Sequence, residues 1–170
     1  MNRRLYFVLP DVQSAERTLD DLLLARVEVR RIHCLARRDI DLGKLPEATF
    51  LQKTDTVHGA ESGMAIGGLA GVIGGAVAVF FPPAGASLQL VTLLVTGFIG
   101  AVFGMWVASM VGTAVPNSKL ARFWDDIDRG KILMMVDVPF IRSREVTELV
   151  ARRHPEALAG GVEPSIPAFP

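Results

Sequence analysis

Charge is missing from the middle of this chain. Residues 62–118, 57 in a row, contain no Asp, Glu, Lys, Arg or His. A helix of a water-soluble domain keeps one polar face, so a stretch of this length excludes an ordinary soluble helical layer as its setting. Cysteine is almost missing as well. Cys34 stands alone, which excludes an intrachain disulfide framework and fits a reducing compartment. A lone thiol can serve redox or metal chemistry, but inside an apolar strand it reads as a small buried hydrophobe. Clustered basic charge is also lacking. The 18 basic and 18 acidic residues cancel, ten of each in residues 1–61 and eight of each in 119–170. That balance excludes the electrostatic footprint of a nucleic-acid binder. A secretory signal is not expected: Asn2-Arg3-Arg4 is basic, but the apolar run at residues 5–9 is too short for an h-region and stops at Pro10-Asp11. The first flank is therefore expected to stay in the cytoplasm.

Within the uncharged stretch, residues 62–116 divide into two apolar segments and read as a transmembrane helical hairpin. Residues 63–81 as helix span roughly 28 Å, near a hydrocarbon core of about 30 Å. Residues 88–115 would span roughly 42 Å and so should tilt or protrude. Between them Pro82-Pro83-Ala84-Gly85 ends one helix and permits a reversal. The connector carries no Lys or Arg while both flanks do, which places both flanks in the cytoplasm and the turn outside. The alternative is a monotopic hairpin that dips in and returns.

Glycine spacing is the sharpest signal inside the hairpin. Gly63, Gly67, Gly71 and Gly75 recur every four residues, as do Gly100, Gly104, Ala108 and Gly112. Such spacing lays a shallow groove along a helix, where backbones approach closely and dispersion replaces the missing hydrophobic drive. Gly68 and Gly74 add small residues on other sides, so the expectation is a glycine zipper that also packs on neighbouring copies. A phosphate-cradling reading of Gly67-Gly68-Leu69-Ala70-Gly71 fails, because no strand precedes it.

The flanks read as halves of one α+β domain. Residues 5–9 suit a central buried strand. Asp11 is a candidate N-cap, and Val12, Ala15, Leu19, Leu22 and Leu23 keep amphipathic helical spacing. Residues 27–37 read as a second strand, with Ile32, Cys34 and Ala36 on one face and Arg31, His33 and Leu35 on the other. Residues 39–61 are a connector in which Pro46 could start a short helix. After the hairpin, residues 117–157 offer a stripe of Leu120, Phe123, Trp124 and Ile127 closed by Gly130, a strand over residues 132–138, and a helix capped by Ser143. Residues 158–170, rich in Gly and Pro, read as a loose tail. The strand order is open at this point, and a further strand would come from residues 39–50, the tail or a neighbour.

These residues carry a resemblance. A short βαβ unit, then Asp55-Thr56-Val57-His58-Gly59-Ala60-Glu61-Ser62-Gly63 leading into the glycine ladder, then Asp128-Arg129-Gly130-Lys131-Ile132-Leu133-Met134-Met135-Val136-Asp137-Val138 and a closing helix, resembles a family of uncharacterised bacterial predicted inner-membrane proteins. It is similar more loosely to the heat-induced stress protein YflT group. The resemblance covers roughly residues 4–157. It implies a ferredoxin-like domain interrupted by a Gly-rich hairpin, in a bacterial inner membrane and linked to stress; it supplies no catalytic residues.

Chemistry has few places to reside. His33, His58 and His154 are scattered, and no spacing matches a metal site. Asp125, Asp126 and Asp128 read as the wet face of a helix, with cation binding the alternative. Asp55, His58 and Glu61 share a helical side before the first span and could line a cytoplasmic vestibule. No catalytic residue, cofactor or metal is expected. The expectation is a non-enzymatic multi-pass inner-membrane protein with both termini cytoplasmic, whose partners are lipid, further copies of itself and an unidentified protein, serving scaffolding or stress-linked regulation. A hydrophobic or mechanically gated channel is the alternative, since no intramembrane ionisable residue serves a proton or ion path.

Overall fold

The computed structural model describes residues 2–82 and 89–165. The chain forms two compact units, one of Met1–Thr49 with Arg122–Pro170 and one of Phe50–Ala121. The second is inserted in the sequence of the first. In chain order the elements are β1 (Asn2–Leu9), α1 (Val12–Leu24), β2 (Ile32–Leu35), α2 (Phe50–Lys53), α3 (Thr56–Phe80), α4 (Val91–Ala114), α5 (Trp124–Asp128), β3 (Ile132–Pro139), α6 (Phe140–Arg153) and β4 (Leu158–Ser165), with 3-10 turns at Val29–Arg31 and Ser118–Phe123.

The first unit is a four-stranded antiparallel sheet in the order β2-β3-β1-β4. β1 and β3 pair along their full length, from Asn2 opposite Pro139 to Leu9 opposite Ile132. Alternation sends Leu5, Phe7 and Leu9 with Ile132, Met134 and Val136 to one face, where α1 and α6 cover them with Ala15, Leu19, Leu22, Val146 and Val150. The opposite face is also partly covered. Tyr6 stacks on Phe123 with ring centroids 5.2 Å apart, and α5 packs on β3.

Local chemistry sets the element ends. The Ser14 N–H donates to Asp11 Oδ1 at 2.7 Å, so Asp11 caps α1 as its side chain requires. α1 closes in a Schellman motif, with Arg26 N–H to Leu23 O and Val27 N–H to Leu22 O. Arg26 stands in the left-handed region at φ 61°, a place where glycine is the least strained residue. α5 ends the same way on Gly130 at φ 90°.

Several sequence expectations give way here. The strand expected over residues 27–37 is only Ile32–Leu35, since Val29–Arg31 coil into a 3-10 turn. Pro46 starts no helix. Its carbonyl accepts from the Cys34 N–H and the Cys34 carbonyl accepts from the Ala48 N–H, so residues 46–48 lie against the edge of β2. Ser143 does not cap α6, which begins at Phe140; the Ser143 hydroxyl donates back to the Phe140 carbonyl. The stripe at residues 120–127 is 3-10 in its first half, yet Leu120, Phe123 and Ile127 are buried.

The largest correction concerns the loose tail. Residues 158–165 are a strand that pairs with β1. Its small residues meet local needs. A Cβ at Gly160 would stand 2.5 Å from Phe123 Cε1, so only glycine lets that ring lie on Tyr6. Gly161, at φ 104°, sits where the pairing register shifts between Tyr6 and Phe7. Pro164 lies on an edge strand, which tolerates a missing N–H.

The second unit is the hairpin. α3 has 25 residues and α4 has 24, each long and apolar enough to cross a membrane. α3 begins seven residues before the expected start, because residues 56–62 are already helical. Of the Pro-rich connector and the expected start of the second helix, residues 83–88 lie outside the described residues. The base is tied by backbone: the Asp55 N–H donates to Val115 O at 2.9 Å, and the Asn117 N–H to Lys53 O at 3.0 Å. The Asn117 side chain adds a bond to Gln52 O and accepts from the Lys119 N–H.

Candidate functional site

The glycines of the hairpin meet one another. A Cβ built on Gly63 would strike Gly104 O, and one on Gly104 would strike Gly63 O; Gly67 and Gly100 are related in the same reciprocal way. Gly71 faces the Thr96 carbonyl and Gly97, and Gly75 faces Leu93 and Thr96. Nearer the base, a Cβ on Gly112 would lie 2.8 Å from Asp55 O. Ala108 fills the level opposite Gly63, where its Cβ bounds the space left by the absent glycine side chain. These close, repeated backbone approaches have the geometry in which Cα–H groups point at carbonyls across a helix pair.

Two residues join the ladders although the spacing argument passed over them. Gly59, four residues before Gly63, leaves room for the Ala108 carbonyl, 2.6 Å from a built Cβ. Gly97 accepts Val72, whose Cγ2 would be 2.8 Å from a Cβ there. Extending the four-residue period back from Gly63 would have found the first. Gly74 differs: nothing lies within 4 Å of its would-be Cβ, and the nearest atom to one on Gly68 is the Ala101 Cβ at 3.4 Å. Away from the shared face, Ile66, Leu69, Ile73, Phe98, Phe103 and Trp106 are all exposed.

Three of the four hydroxyls of α4 turn to their own helix. Thr96 donates to Thr92 O, Ser109 to Trp106 O and Thr113 to Met110 O. Of the residues expected to line a vestibule, Asp55 immediately precedes α3, and His58 and Glu61 lie in its first two turns. Asp55 accepts from the Ser118 hydroxyl at 3.2 Å, whereas His58 and Glu61 are exposed and contact neither it nor each other through a hydrogen bond or ion pair.

In the sheet unit the structure gathers polar groups that sequence reading left scattered. The Arg4 guanidinium grips Asp137 with two bonds, at 2.8 and 2.6 Å, as the strand register places them opposite. Glu163 accepts from the Tyr6 hydroxyl at 3.2 Å and from Arg122 at 2.8 Å, and Arg122 lies over the Phe123 ring. Burial, then the Glu163 charge, pushes the Tyr6 phenol up to about 12. On the same face burial, then Arg4, lowers His33. His33 and Cys34 face opposite ways, and burial lifts the Cys34 thiol to about 12, which leaves it without nucleophilic character at neutral pH. His154, buried, bridges Asp21 Oδ2 at 2.9 Å and Glu156 Oε1 at 3.5 Å. Burial pushes the Asp21 carboxyl up, but its bonds to His154 and Arg153 outweigh that and hold it below the usual range. Asp126 pairs with Lys131 while Asp125 and Asp128 stay exposed. Among the described residues no group of three His, Cys, Asp or Glu has the arrangement to hold a metal.

Neither a protein-family model nor a curated protein matches the chain. What the structure defines is a class: an α+β sheet unit whose sequence is interrupted by a hairpin of two long apolar helices joined through glycine.

Gly67→Leu or Gly100→Leu should separate α3 from α4, because each adds a side chain where backbone stands. Gly74→Leu should leave the pair intact. Disulfide trapping between cysteines placed at positions 68 and 101, where the two β-carbons would stand 3.4 Å apart, checks this, with trapping lost in the first two variants and retained in the third.

Tyr6 is the sole tyrosine, so ultraviolet phenolate absorbance follows it alone. In the folded chain the transition should centre near pH 12 rather than at the ordinary value of 10. The neutral phenol is the form that folding favours. The stability it contributes is therefore complete below pH 10 and declines as pH rises from there toward 12. Glu163→Gln should move the phenolate transition downward.

Proposed function

We propose that the chain is a non-enzymatic integral membrane protein that self-associates through its hairpin and presents the sheet unit to the cytoplasm as a scaffold or stress-linked regulator. The observation that carries this reading is the hairpin's surface. One face is consumed by backbone contact with its partner helix, and the rest of residues 62–82 and 89–114 is uncharged and exposes large apolar side chains. Monomeric soluble proteins rarely leave apolar surface of that extent to water, whereas lipid and neighbouring helices both suit it. The open surface at Gly74 is the place for a second copy, since small residues let helix backbones approach in hydrocarbon. The packed ladder and the open surface together make the glycine zipper of this proposal.

The strand order β2-β3-β1-β4 with α1 and α6 on one face supports a ferredoxin-like reading of the sheet unit. It accords with the resemblance to the bacterial inner-membrane family and, more loosely, to the stress protein YflT group. Basic residues in both flanks support a cytoplasmic location for both termini and a bacterial inner membrane for the hairpin. The channel alternative is the weaker reading, because the Thr96, Ser109 and Thr113 hydroxyls bond to their own helix rather than standing free to line a water path.

Self-association is tested by native mass measurement of the full chain in lipid nanodiscs and detergent. The expected result is an oligomer that Gly74→Leu shifts toward monomer with the hairpin intact. A strict monomer at every concentration overturns it.

A further inference from the structure

We propose that one end of the sheet unit docks on an anionic lipid headgroup layer. At this end α1 stops, β2 starts and β3 turns into α6. Four large apolar side chains stand in solvent there: Leu24 is 78% exposed, Val29 50%, Phe140 60% and Ile141 90%. The turns are neighbours in space. The Arg142 guanidinium donates to the Ala25 carbonyl at 2.7 Å, and a shallow depression is lined from both the 26–31 and the 137–142 segments. Through Pro139 it adjoins a second one formed by Arg3, Phe140 and Ile141.

The charge of this end is one-sided. It carries Arg3, Arg26, Arg30, Arg31 and Arg142 against Glu28 and Glu145; Asp137 is engaged by Arg4. The unit as a whole is balanced, with 16 basic and 16 acidic residues, so the excess is a matter of position. All five cations are arginine, whose planar fork suits phosphate. Arg3 lies over the Phe140 ring, 5.2 Å from its centroid, so cation and apolar wedge present together. Arg26 occupies its left-handed position in place of the less strained glycine, which keeps a cation at the apex of the turn.

A bilayer surface takes this combination. Isolated apolar side chains enter below the headgroups while guanidinium groups stay at phosphate level, and each basic residue adds to the attraction. A protein partner would instead meet a continuous apolar groove, and here arginines separate the apolar side chains. The proposal does not rest on self-association of the hairpin.

The test uses the full chain in phosphatidylcholine nanodiscs, with Leu24→Cys carrying an environment-sensitive dye; Cys34 is fully buried and stays unlabelled. Added vesicles containing phosphatidylglycerol should shift the dye to the blue and carry the protein on flotation, less so at high salt, while phosphatidylcholine vesicles should do neither. A second arm puts phosphatidylglycerol in the nanodisc itself; a shift there supports docking on the protein's own bilayer, and a shift only with added vesicles supports docking on an opposing one. Arg30→Gln with Arg31→Gln should weaken the response about 30-fold. Phe140→Ser with Ile141→Ser should weaken it at least about tenfold. Arg26→Gly should weaken it while raising the thermal unfolding midpoint, a pairing that damage to the fold does not produce. Equal binding to both lipids, or to neither in both arms, overturns the proposal. So does a dye shift that follows protein concentration without added vesicles, which would assign the surface to a second copy.

Discussion

Backbone-to-backbone contact between α3 and α4 is the constraint on which the hairpin depends. Beyond Glu61 the two helices carry no charged residue, and they gain little from apolar burial if lipid surrounds them, because hydrocarbon is as good a neighbour as leucine. What remains is close approach, and glycine at four-residue intervals allows it at Gly63, Gly67 and Gly71 against Gly104, Gly100 and Thr96. The same contact fixes the two helices as antiparallel and brings residues 53–55 beside 115–117, where backbone hydrogen bonds close the base. The chain thus enters and leaves the insertion at one place.

That closure matters to the sheet unit because its two sequence halves must find each other across the insertion. β1 and β3 pair over eight residues although more than 120 residues separate them. β4 then adds to the free side of β1, and β2 to the free side of β3. Charged pairs mark the same joins: Arg4 with Asp137 across β1 and β3, Arg122 with Glu163 near β1 and β4. The partly exposed pairs give register more than stability, since such interactions contribute modestly in water.

Much of this was legible in the residues. The uncharged stretch announced the hairpin, the four-residue glycine spacing announced its packed face, and the alternation around Leu5 and Ile132 announced the central strands. β4 was legible only as one of three open sources for a further strand, because its Gly160, Gly161 and Pro164 answer to Phe123, a register shift and an edge position, none of which is local in sequence. The cluster of Tyr6, Arg4, Asp137 and Glu163 was hidden for the same reason: each member is ordinary in its own segment and becomes a neighbour only through strand pairing. Helical spacing put Asp55, His58 and Glu61 on one side, but the bond that Asp55 accepts from Ser118 depends on the return of the chain after α4 and was not local in sequence.

The central claim is that the hairpin crosses a bilayer with both flanks on one side. Single cysteines at positions 81 and 128, in turn, in oriented membrane vesicles and probed with a membrane-impermeant thiol reagent, test it most directly. The account predicts labelling of position 81 from one side only and of position 128 from the other. Labelling of both from the same side would contradict it.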